Sequence, residues 1–181
     1  MNTQKRVKAS ALAAVTALSS IAEVAFAEES TLFGIQLLSN YQDYTIDHST
    51  MKEDGYGLDP YYRVDVLPPE RNPGFEYYTV TFDKKTSKIH EVQAEHEFGN
   101  EQSCQEAADD LSQLLRPKFG KEPEKHEGVY GQSRQYEYLY PFDAWAASVR
   151  CITFSGFETW LYIGIETDQL WETRVKNFEK F

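Results

Sequence analysis

Positive charge, cysteine, histidine and long apolar runs are all scarce in this chain, and each shortage closes off a class of function. Lysine and arginine number 18 against 29 aspartates and glutamates in 181 residues, a formal charge of −11. Such a surface repels phosphate backbones and anionic lipid, because binding either depends on neutralising its charge with Lys and Arg. Nucleic acid and membrane partners are thereby disfavoured, and a basic protein or peptide is the partner that the charge suits. Beyond the amino-terminal segment no apolar run approaches the roughly 20 residues needed to span a bilayer, so the chain is not expected to be membrane-embedded.

Motifs for small-molecule chemistry are missing as well. No glycine-rich phosphate loop occurs, and Gly131-Gln132-Ser133 lacks the second glycine of a serine nucleophile elbow. There are four histidines. His90 and His96 fall along one expected strand, where six residues separate them by about 20 Å, too far for one metal shell. No metal, no cofactor and no catalytic residue is assigned.

What is present begins with a leader. Lys5, Arg6 and Lys8 precede an apolar, alanine-rich run, and Ala25-Phe26-Ala27 stands before the acidic Glu28-Glu29. A positive start, a short apolar middle and small residues at the cut make a signal peptide over residues 1–27, cleaved after Ala27, with a periplasmic or secreted product. Residues 28–181 then form one exported α+β domain, of which residues 28–60 are poorly defined. The leader holds three basic residues and one acid, leaving 15 basic and 28 acidic residues and a formal charge of −13.

The two cysteines, Cys104 and Cys151, read as a disulfide, because an oxidising compartment pairs thiols and neither lies in a Cys-x-x-Cys motif. Cys104 opens an apolar helical face continued by Ala107, Ala108, Leu111, Leu114 and Leu115. Ser103 with Glu106 forms a capping box, Asn100 is an alternative cap, and Pro117 is expected to end the helix near Leu115 or Arg116. Cys151 lies in an alternating run, so the bridge would fasten this helix to a sheet.

Alternation of period two marks strands at residues 61–67, 76–82, 89–98, 134–140, 145–154 and 159–165, with a shorter piece at residues 32–38. Residues 39–60 and 120–131 read as loop, and residues 167–181 as a closing helix. The expected fold is an antiparallel sheet of five to six strands, apolar on one face and wet on the other, with the disulfide-anchored helix on its apolar face.

All 12 tyrosines follow the leader. Tyr77, Tyr136, Tyr138, Tyr140, Trp160 and Tyr162 fall on strands and form an expected binding surface, since a stiff ring buries much area at small entropic cost. Ordinary cross-strand packing accounts for half or more of them. These observations point to a non-enzymatic binding protein, an inhibitor or immunity-type factor for a basic partner. A hydrolase of envelope polymers using paired acids such as Glu91, Glu95 or Glu137, or a structural accessory of the envelope, is the alternative. Mass spectrometry of the exported protein should find Glu28 as its first residue; a product retaining residues 1–27 would remove the leader reading.

Overall fold

The computed structural model describes residues 30–53, 60–130, 132–154 and 158–178. The leader expected at residues 1–27, the turn expected at residues 155–156 and the continuation of the closing helix expected over residues 179–181 lie outside the described residues. Two short strands, β1 (Thr31–Leu32) and β2 (Ile35–Gln36), are followed by β3 (Thr45–Glu53), β4 (Tyr61–Leu67), β5 (Tyr77–Asp83) and β6 (Ile89–Phe98). Helix α1 (Glu101–Phe119) precedes β7 (Glu124–Tyr130), β8 (Ser133–Pro141), β9 (Trp145–Phe154) and β10 (Thr159–Thr167), and helix α2 (Asp168–Phe178) closes the described chain.

The large sheet is antiparallel, as expected, but has eight strands rather than five to six, in the order β3-β4-β5-β6-β10-β9-β8-β7. Both additional strands are its edges. An edge strand has one neighbour and little apolar surface to bury, so β3 keeps only Ile46 and Met51 against the core, and β7 keeps the polar run Glu124-Lys125-His126-Glu127. Their pairing is visible in the structure, Thr45 with Leu67 and Glu124 with Leu139, but not in their hydropathy.

The piece expected as one strand at residues 32–38 is instead a tight hairpin, β1 against β2, turning at Phe33 and Gly34 with φ of 53° and 75°. Positive φ at both positions is what a two-residue hairpin of matching twist demands. A Cβ on Gly34 would also come within 3.0 Å of the Pro69 Cβ. Phe33 accepts the unfavourable backbone because its ring is buried edge-on against Phe75 and Tyr78, at 5.7 and 5.1 Å.

Helix α1 buries Cys104, Ala107, Ala108, Leu111, Ser112 and Leu115 on β9, β10, β8 and β6. Facing them across the core are Val149 and Cys151 of β9, Leu161, Ile163 and Ile165 of β10, and Val92 and Ala94 of β6. Asn100 is the cap, its side chain accepting from the Ser103 amide at 2.9 Å. The helix passes through Pro117 and ends at Gly120, which adopts φ 63° and donates to the Arg116 carbonyl. Packing overrides the proline here: Phe119 reaches the rings of Tyr140 and Phe142, at 4.9 and 5.4 Å, only if the last turn stays helical.

The disulfide joins Cys104 to Cys151 with a Cα–Cα distance of 5.8 Å, both residues buried. Each half of the chain is a four-strand meander followed by a helix, and the halves meet along β6 and β10. The helices nevertheless take opposite faces, because α1 offers an apolar stripe while α2 offers Leu170 and Arg174. Among the described residues no helix is long and apolar enough to cross a membrane. Since the bridge closes a loop of 47 positions, replacing both cysteines with alanine is expected to remove about 4 kcal/mol of unfolding free energy. Urea denaturation of the double variant checks this, and a loss below ~1 kcal/mol would show that the bridge is dispensable.

Candidate functional site

With α1 on the apolar face, alternation sends the other residues of each strand to the opposite side. The pairing aligns Thr81, Glu91 and Glu166 in one row and Thr79, Gln93, Gly164 and Ser148 in the next. Tyr77, Glu95, Tyr162, Arg150 and Glu137 form the third row, and Glu97, Trp160, Ile152 and Gln135 the fourth. Much of this face is not wet, contrary to expectation. Glu91 is 3 % and Glu166 6 % exposed, and Gln93, Glu137 and Ser148 are buried too.

Buried carboxylates must be paired, and three arginines pair them. Arg174 of α2 grips Glu91 with both terminal nitrogens, Nη1 to Oε1 at 3.0 Å and Nη2 to Oε2 at 2.8 Å, and its Nη1 also donates to Glu166 Oε2 at 2.7 Å. Thr81 adds a hydroxyl to Glu91 Oε2 at 2.7 Å. Arg150 donates from Nη2 to Gln93 Oε1 at 3.1 Å and lies 3.9 Å from both Glu91 and Glu137. Gln93 donates onward to Glu95, which is ion-paired with Arg63.

Four carboxylates thus face three guanidiniums, and the shortfall falls on one of them. Burial pushes the Glu91 carboxyl toward its neutral form, but the guanidinium of Arg174, helped by Arg150 and Arg63, outweighs it and holds the group at about 2 against an ordinary 4.5. Glu166 is raised instead, by burial first and then by the charge of Glu91, which Arg150 and Arg174 offset only in part.

The three acids weighed for hydrolysis are therefore each beside a different arginine: Glu91 with Arg174, Glu95 with Arg63, Glu137 with Arg150. Sequence reading had not singled out the three arginines or Glu166. Alternation does put Arg150 on the side opposite Cys151, but nothing local relates Arg174 to Glu91, 83 positions away.

The six aromatics divide between the faces. Tyr136, Tyr138 and Tyr140 turn toward α1. Asp109 accepts from the Tyr136 hydroxyl and from the Tyr138 hydroxyl at 2.8 Å, and Tyr140 donates to the Ser112 carbonyl at 2.8 Å. Burial, followed by the hydrogen bonds with Tyr136 and Asp109, makes the Tyr138 phenol a weaker acid than usual. Tyr77, Trp160 and Tyr162 are on the open face, with the Tyr77 and Trp160 rings 5.9 Å apart and Tyr77 51 % exposed.

His90 is buried at the α2 end of the sheet, its Nδ1 2.9 Å from the Thr167 hydroxyl and its ring edge-on to Tyr61. Burial holds its pKa below the ordinary histidine value. His96 instead packs edge-on against Phe98. A register shift between β5 and β6 lies beside His90, which falls between the paired Ile89 and Glu91. A shallow depression lined by Asp47, Asp65 and Leu67 lies apart, at the β3–β4 edge.

Removing Arg174 leaves two buried carboxylates without their main cation, so Arg174→Ala is expected to lower stability by about 3–5 kcal/mol. The exposed pair Arg116–Glu122 contributes at most about 1 kcal/mol. Because the folded pKa of Glu91 is depressed, its stabilisation is complete above 4.5 and is lost as pH falls toward about 2. Glu91→Gln should flatten that acid limb in a pH series of denaturation midpoints; an unchanged limb would show that the pair does not govern acid stability. Comparison with protein-family models, with curated proteins and with solved structures returned no match.

Proposed function

We propose that this chain is an exported, non-enzymatic binding protein of the periplasm or extracellular space that engages a basic protein or peptide, as an inhibitor or immunity-type factor. The observation that carries this reading is the charge balance, −13 once residues 1–27 are removed. A field of that sign draws a basic partner to the surface and speeds its encounter. The disulfide suits an oxidising compartment.

The ion network favours binding over turnover. A glycosidase-like hydrolase that uses paired acids needs two carboxylates facing each other across a gap that admits substrate. Here Glu91, Glu95 and Glu137 lie against arginines, and Arg174 covers the Glu91–Glu166 pair. Arginines so placed serve the fold, and the partner is left the outer surface of the same face, where Tyr77 and Trp160 lie.

Pull-down from periplasmic extract, using the mature chain as bait at about 0.05 M and 0.5 M salt, tests the reading. The expected catch is a protein of basic isoelectric point, retained at the lower salt and weakened at the higher. Recovery of no protein at either salt, or only of acidic ones, would overturn it.

A further inference from the structure

The open face shows, through its own arginines, how it seats a guanidinium. Arg174 lies between Glu91 and Glu166, Arg63 is on Glu95, and Arg150 stands beside Glu137 with its Cζ 5.9 Å from the Tyr162 ring centroid. One row further from α2 the ingredients recur without the cation. Trp160 is paired across the sheet with Glu97 on β6 and Ile152 on β9, and its ring neighbours that of Tyr77. Tyr77 is 51 % and Phe154 45 % exposed, and Glu97 is exposed as well. Among the described residues no lysine or arginine forms an ion pair with Glu97 or lies over the Trp160 ring.

We infer that this end of the face, formed by Tyr77, Glu97, Ile152, Phe154 and Trp160, is the docking surface for the basic partner, and that an arginine of the partner enters between the Trp160 ring and the Glu97 carboxylate. The inference deepens the proposed function and rests on it. Arginine suits the place better than lysine, because a planar, weakly hydrated guanidinium stacks on a ring and bonds a carboxylate at once. Ile152 and Phe154 offer apolar area to a neighbouring side chain.

Three other acidic positions lack this combination. Asp109 is occupied by Tyr136 and Tyr138, Glu122 is paired with Arg116, and Glu124 is 3.5 Å from His126. Charge complementarity alone would spread a basic partner over all of them. The half-buried Trp160 ring beside Glu97, with the exposed Tyr77 ring next to it, singles out one end of one face.

The test uses the full mature chain and two short peptides, one alternating arginine with leucine and one alternating lysine with leucine, followed by NMR and by calorimetric titration. The Trp160 indole and Ile152 resonances should move with the arginine peptide, and Trp160→Ala and Glu97→Lys should each weaken binding by about tenfold or more. Tyr77→Ala serves as a second surface variant, with denaturation midpoints confirming that all three remain folded.

Glu122→Lys, a change of equal charge at the α1–β7 connection, should weaken it by less than about twofold. Equal weakening by Glu122→Lys would mean diffuse attraction and overturn the site while leaving the basic-partner reading intact. Equal binding of the lysine peptide would overturn the arginine seat. Resonance shifts at Trp160 that follow protein concentration without peptide would assign the patch to a second copy of the chain. Failure of both peptides would remove the site, and the fate of the wider reading would then be told by the pull-down, which uses no peptide.

Discussion

A carboxylate that folding removes from water has to meet a cation or give up its charge, and the open face of the sheet is built around that constraint. Glu91 meets Arg174, delivered from the last helix, and the same guanidinium reaches Glu166 on the adjoining strand. Taking these ions out of water costs several kcal/mol each before any attraction is counted, so the arrangement holds only while the geometry is complete. One side chain of α2 thereby bears on the two central strands, β6 and β10, and fixes where the helix can lie.

The two faces of the sheet thus obey different physics. Against α1 the contacts are largely apolar, supplemented by hydrogen bonds from Tyr136, Tyr138 and Tyr140 and fastened by one covalent bridge. On the opposite face they are directional, and their strength depends on each partner being present. The apolar layer supplies a firm scaffold, while the ionic layer keeps its own acids engaged and leaves an outer margin of rings beside Glu97, with which no described lysine or arginine forms an ion pair.

Much of the scaffold was legible in the sequence because the signals were local. The i, i+3, i+4 spacing from Cys104 to Leu115 marked α1, and alternation marked six of the eight strands of the large sheet. The partner of Cys104 followed from there being only one other cysteine. Edge strands β3 and β7 were not legible, since an element that buries almost nothing leaves little hydropathic trace. The candidate face was half legible. Alternation places Glu91, Glu95 and Arg150 away from α1, but whether such residues meet water or each other depends on register and on Arg174, and neither is written locally. The tyrosines of β8 show the same limit: Tyr136 stands opposite Cys151 in the sheet and so shares its face, a fact available only once the two strands are paired.

The seam between the two meanders bears on how the chain reaches this state. His90 on β6 and Thr167 at the end of β10 are in contact across 77 positions of sequence, a separation that slows folding because the intervening loop must close first. A chain emerging amino-terminus first displays β6 as a bare edge until β10 arrives. Cys151 on β9 emerges before β10, so oxidation can tether the halves while that edge is still vacant. With that bridge in place the loop that β10 must close to reach β6 is shorter, and the entropic cost of seating the last strand falls with it.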